Sequence, residues 1–233
     1  MTSQPPRPLA ALAGANLMAH SAEQLGLAAV PMIAVLLLDA GPGDIGLLAA
    51  VQTLPFLLLS LPLGLMVDRM PRRRLMMAAE TLRAASLLAL LAAALTGFLS
   101  IGWLAVLGFF GAVGTVAFSV AAPALVPALV PRAALAQANG RLELARSAAF
   151  AGGPALGGAL VSWAGASATF VLASVMSLAA VALLWRLGEP PLAPRAARHP
   201  LREGQDGARF VWRGPPLRSV LLTAAVWNIA WFV

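Results

Sequence analysis

The sequence predicts an all-α membrane protein, a bundle of six transmembrane helices followed by the start of a seventh. Three observations lead there. Of its 233 residues, 60% are hydrophobic and only 11% charged, against about 45–50% and about 25% in soluble domains. Apolar runs long enough for a helix to cross a hydrocarbon core of about 30 Å recur along the chain. The basic residues collect in alternate connections between these runs.

In chain order the expected spans are 9–38, 45–67, 75–95, 101–125, 135–160 and 168–187, with a seventh begun at 217. Pro31, Pro55, Pro62 and Pro154 fall inside or near the ends of these spans. In water they would argue against helix. In a bundle, neighbouring helices and waters satisfy the carbonyls that proline frees. The segment 1–8 is short and proline-rich, and the apolar run behind it is broken by Asn16, His20 and Glu23. That pattern does not fit a cleavable signal peptide.

The net charge is +7, and all 16 basic residues are arginine. Arg7 precedes the first span. Arg69, Arg72, Arg73 and Arg74 join the second to the third, Arg132 joins the fourth to the fifth, and seven more flank or fill the stretch after the sixth. The connections 39–44, 96–100 and 162–167 hold none. Arginine on one side only marks that side as cytoplasmic. The expected topology is a multi-pass protein of the plasma (inner) membrane with its N-terminus in the cytoplasm. A nucleic-acid surface would not alternate with apolar spans, so no nucleic-acid partner is expected; the lipid bilayer is. The chain has no cysteine, and no nucleophile–base pair or ligand cluster stands out. No enzyme activity, cofactor or metal is expected.

Two stretches carry recognisable spacing. Gly64, Asp68, Arg69, Arg72 and Arg73 lie in the connection after the second span, and Gly64 to Asp68 repeats in outline at Gly158 to Ser162. The shift is three spans, which inverts the second copy across the membrane, as in transporters built from inverted repeats. The first copy resembles the cytoplasmic loop motif of the major facilitator superfamily, with Pro71 where glycine is usual. The resemblance implies a 3+3 inverted repeat and a cytoplasmic latch between two halves. In the fifth span, Gly140, Gly153, Pro154, Gly157 and Gly158 resemble the antiporter motif of drug exporters in that superfamily, with Ala149 replacing one glycine. Proline bends the helix and glycines admit a close neighbour. Segments 127–139 and 202–218 are similar to the branch that contains the enterobactin exporter and macrolide-efflux proteins.

What the resemblance implies for organisation is two six-helix halves. Residues 1–187 would be the N-terminal half, 188–216 a cytoplasmic linker, and 217–233 a truncated seventh helix. Seventeen residues rise only about 25 Å. The chain therefore reads as a fragment whose C-terminal half is a missing partner, and it is expected not to transport alone.

The first span carries the most informative residues. Asn16, His20, Glu23 and Gln24 fall at about 0°, 40°, 340° and 80° around a helix, one polar face that must look into the bundle. Glu23 lies near mid-span, where desolvation favours the protonated carboxyl, so it is a candidate proton site, with His20 as relay. Gln52 and Thr115 are further candidates for the substrate and proton pathway. Glu80 and Arg83, spaced i, i+3, can pair. With Asn139 and Glu143 they are expected to form an intramembrane charge network coupling the helices. The fourth span has no arginine, unlike many proton-coupled exporters.

Together these readings predict a secondary active transporter, a proton-coupled exporter of drugs, siderophores or similar small molecules working by alternating access. An importer of the same superfamily and a non-transporting six-span scaffold are the alternatives.

Overall fold

The structure, a computed structural model, describes residues 7–67 and 69–188, and beyond them 209, 212–214, 218–220, 222, 223 and 226. Asp68, most of the expected linker and most of the expected seventh helix lie outside the described residues. The chain divides into two compact units, Met1–Leu192 and Ala193–Val233. In the second, the described residues are helical except Gly214, whose carbonyl accepts from the Arg218 N–H at 2.9 Å.

The first unit is built from α1 (Arg7–Leu38), α2 (Pro42–Val67), α3 (Arg72–Leu95), α4 (Ile101–Leu129) and α5 (Leu135–Trp185), with one 3-10 turn, Arg132–Ala134, before α5. All five helices are long and apolar enough to cross a membrane. Local chemistry sets their ends. Pro42 opens α2 at a position that needs no N–H. Gly97, at φ +74°, follows the end of α3 in the left-handed conformation that glycine adopts without cost. Ser100 caps α4, its hydroxyl accepting from the Trp103 N–H. Pro131 then holds Val130 extended and stops α4.

Five helices stand where six spans are expected. Straight, the 51 residues of α5 would run about 77 Å at 1.5 Å per residue, far beyond one bilayer core. Instead α5 breaks at Gly165, whose φ of 80° and ψ of 175° are non-helical. The expected fifth and sixth spans fall on its two segments, and a single glycine stands where a connection over 162–167 was expected.

Helix α1 packs chiefly on α5, while α4 packs on α2 and α3, and α3 also meets α5. Two apolar cores result. One gathers the first half of α1 with the ends of α4 and α5, including Leu12, Phe118, Leu125 and Leu184. The other gathers the second half of α1 with Leu48, Leu90, Leu104 and Phe170. Between them runs a buried polar layer that includes His20, Glu80, Arg83, Thr115 and Ser177. Outside, Leu57, Phe98 and Trp163 are fully exposed apolar side chains, a surface suited to lipid rather than water.

The α3–α4 crossing depends on Gly114. A Cβ there would stand 2.6 Å from the Ala79 carbonyl oxygen, a backbone atom that cannot step aside. Gly114→Ala is expected to cost about 1–3 kcal/mol and to lower the melting temperature in detergent. Gly111→Ala, with nothing within 4 Å of its Cβ, serves as control; equal melting of the two variants would rule out this account.

Candidate functional site

The polar face of α1 divides between two surroundings. Asn16 and Gln24 turn to α5. The Asn16 amide donates to the Leu142 carbonyl at 2.8 Å, and Gln24 is buried against Gly153, where a Cβ would stand 2.3 Å from its own Cβ. His20 and Glu23 turn to the interior space. His20 Nδ1 and Glu23 Oε2 lie 2.8 Å apart, with side chains only 10% and 11% exposed. The His20 ring meets Phe118 edge-on at 6.0 Å and lies 6.2 Å from Phe150. These rings fix the imidazole against the carboxylate.

Two cavities meet at Glu23. The larger, about 390 Å³, lies among α1, α2, α3 and α4 and is bordered by Glu23, Gln52, Arg83 and Thr115. The smaller, about 250 Å³, is bordered by Asn16, His20, Glu23, Arg146 and Phe150. Chain direction separates them. The smaller uses α1 up to residue 23 and the start of α5; the larger uses α1 from residue 22 on and the early part of α4. They are therefore stacked along the helices, and Glu23 and Phe56 belong to both walls.

Beside the larger cavity sits the Glu80–Arg83 pair. Arg83 donates to Glu80 Oε1 at 2.6 Å and to the Ala19 carbonyl of α1 at 2.9 Å, both through Nη1; Nη2 reaches Thr115 Oγ1 of α4 at 2.7 Å. One guanidinium thus ties three helices together. In a regular helix the Ala19 carbonyl is also the acceptor of the Glu23 N–H, so Arg83 grips the turn that carries Glu23. Glu80 is wholly buried. Its Oε2 is sealed beside the Ser177 hydroxyl of α5, and neither atom meets hydrogen-bond geometry with a partner among the described residues. Asn139 and Glu143 stand outside this network. Both are exposed, and Glu143 faces Arg146 at 3.8 Å.

The expected gating and antiporter residues separate in the same way. Asp68 lies outside the described residues. Arg73 donates to the carbonyls of Trp185 and Leu187, fastening the start of α3 to the end of α5; Arg69 and Arg72 also interact with other groups. At Gly64 a Cβ would meet nothing within 4 Å. In α5, Gly153 and Gly157 are in tight contact with α1, whereas Gly140 has open space and Gly158 only a flexible Met32 sulfur at 3.7 Å. Pro154, between the tight pair, is exposed.

Four residues of this region went unnoticed in the sequence. Phe56, Phe118 and Phe150 look like ordinary membrane apolar residues and give no signal. Gly114 had one: Gly108, Gly111 and Gly114 recur every third residue in the fourth span, a small-residue stripe of the kind helices use to approach each other.

A family model described as "Major Facilitator Superfamily" matches residues 12–233. The multidrug efflux pump Tap of Mycobacterium tuberculosis is 30% identical over 223 residues, 88% of this chain and 51% of the relative. The protein of that name from Mycolicibacterium fortuitum is 29% identical over 239 residues, 97% of this chain and 57% of the relative. An uncharacterized MFS-type transporter of Sinorhizobium fredii is 31% identical over 121 residues, 49% of this chain and 30% of the relative. The chain spans about half the length of the multidrug pumps it matches.

Proposed function

The chain belongs to the Major Facilitator Superfamily and is a multi-pass membrane protein, and from that premise we propose that it forms the N-terminal half of a proton-coupled exporter of drug-like small molecules. The relatives named multidrug efflux pumps support the drug-like substrate. The observation that carries the proton coupling is the position of Glu23. It is a carboxylate in the polar layer, paired with His20 and bordering both stacked cavities.

A carboxylate in that place has two neutral forms, one with a proton and one with a bound cation. Holding it uncompensated inside a membrane is costly. Exchange of proton for cation at Glu23, with His20 passing the proton from the smaller cavity, couples the two fluxes. Alternating access then requires a second helical half closing over the same cavities. The arginine pattern supports a cytoplasmic N-terminus, with the gating residues Gly64, Asp68, Arg69, Arg72 and Arg73 on the cytoplasmic face of the plasma membrane. Arg83, from α3, supplies the buried positive charge that the fourth span lacks.

The test is proton-driven flux in inverted membrane vesicles holding a transporter that contains this chain. A pH gradient should drive uptake of a fluorescent lipophilic amine. Glu23→Gln should lower that uptake at least about tenfold, a change of about 1.4 kcal/mol, and His20→Gln less. Undiminished uptake in Glu23→Gln would remove the proton site. Uptake driven only by the opposite gradient would reassign the protein as an importer.

A further inference from the structure

The wall of the larger cavity carries donors that are not all used, and this deepens the reading above, on which it rests. Glu23 and Arg83 are the ionic side chains on its wall. The Arg83 charge is met by Glu80 at 2.6 Å, which leaves Glu23, held by the His20 imidazole at 2.8 Å, as the group on this wall that can take a cation. Arginine carries five N–H donors. Glu80, Ala19 and Thr115 take three of them, and among the described residues Arg83 has no other partner. Two N–H groups are left over. Across the wall, the Gln52 amide makes no hydrogen bond to a described residue. It has room because position 108 is glycine, whose Cβ would lie 3.3 Å from the Gln52 Cγ. Apart from the hydroxyls of Thr53, Ser86 and Thr115 the rest of the wall is apolar, with Leu27, Leu48, Leu90 and Leu107.

We propose that this cavity takes amphiphilic amines that carry an acceptor oxygen beside the cationic nitrogen. Glu23 holds the ammonium, and Arg83 and Gln52 donate to the oxygen. The leucines hold the apolar body. The oxygen is a neutral one, a carbonyl or ether. A carboxylate would add a third negative charge beside Glu23 and Glu80, against one arginine. A bare alkylamine fills the same space and leaves these donors unpaired, which is how a polar site rejects an analogue that lacks the matching group.

Two probes differ mainly in this respect: dodecylamine, and the dodecyl ester of glycine, whose carbonyl neighbours the amine. Calorimetric titration of the 233-residue chain in maltoside micelles, with empty micelles subtracted, should show the ester binding about tenfold tighter. Gln52→Leu should cut that preference to threefold or less while holding dodecylamine affinity within twofold. Arg83→Lys should do the same. It keeps the charge opposite Glu80 but has three donors rather than five, all taken by the existing partners. Should Arg83→Lys fail to fold, Gln52→Leu decides alone. No preference in the parent, or a preference that survives Gln52→Leu, overturns the proposal. Glu23→Gln separates it from the reading beneath. Loss of both probes supports that reading. Undiminished binding of both overturns it, and the ester preference still decides the oxygen site.

Discussion

Arg83→Met is expected to destabilise the bundle by about 3–5 kcal/mol, the cost typical of removing one partner from a buried ion pair. The residue is 3% exposed and Glu80 is wholly buried. Without the guanidinium, the Glu80 carboxylate keeps its charge burden, and the Ala19 carbonyl and the Thr115 hydroxyl each lose their link to α3. Neither water nor lipid can reach Glu80 to compensate. The cost is thus mostly the orphaned charge, not the lost attraction. A second variant separates the two. Glu80→Met combined with Arg83→Met replaces the pair by apolar groups of similar size, which is often nearly neutral. The double variant should recover at least half of the loss. Thr115→Val, which removes one hydrogen bond, should cost only about 1 kcal/mol. Unfolding in mixed micelles with increasing dodecyl sulfate measures all four proteins. An Arg83→Met variant within 1 kcal/mol of the parent, or a double variant worse than the single, would show that the pair is not what joins α1, α3 and α4.

The contrast between pair and partners marks what could be read from the sequence. Glu80 and Arg83 are three residues apart, and helical periodicity alone brings them together. That Arg83 also reaches Ala19 and Thr115 depends on which helices are neighbours, and no local pattern encodes that. The polar face of α1 has the same limit. Periodicity grouped Asn16, His20, Glu23 and Gln24, but the face is wide enough to meet two surroundings, and only the position of α5 divides it. Asn139 and Glu143 show the converse. Charges in an apolar run were expected to be buried partners of Glu80, yet Asn139 is exposed and Glu143 lies on the wall of the smaller cavity, where it meets Arg146. Span ends were legible wherever proline, glycine or serine set them, as at Pro42, Gly97 and Ser100. Where α5 breaks, a six-residue connection from Ser162 to Ser167 was expected. A single glycine in the mirror-image extended region needs no such length.

The glycines of α5 allow a test of which motif positions act through packing. Gly153→Ala should lower stability by about 1–3 kcal/mol, and Gly157→Ala somewhat less. The new methyl at 153 would stand 2.3 Å from Gln24 Cβ; the one at 157 would stand 2.9 Å from Ala28 Cβ. Gln24 and Ala28 are one turn apart, as are Gly153 and Gly157, so one contact seam holds both pairs. The clash involves Cβ atoms, which rotate nowhere; either the helices separate or the backbone bends. Gly140→Ala and Gly158→Ala meet nothing closer than 3.7 Å. There alanine's better helix propensity, about 1 kcal/mol over glycine, has nothing to offset it. The four variants should therefore split in sign, two melting lower and two level or higher. For a chain of this size each kcal/mol corresponds to about 2–4 °C. Gln24→Gly should rescue Gly153→Ala, because it removes the atom that is struck; equal melting of all four single variants, or no rescue, would mean that the seam is looser than drawn. The seam also bears on function, since Gln24 follows Glu23 directly in α1. Helices pushed apart at Gly153 carry Glu23 away from the wall it shares between the two cavities, so under the function proposed above, flux through a transporter containing this chain should fall further in Gly153→Ala than its folded fraction alone accounts for.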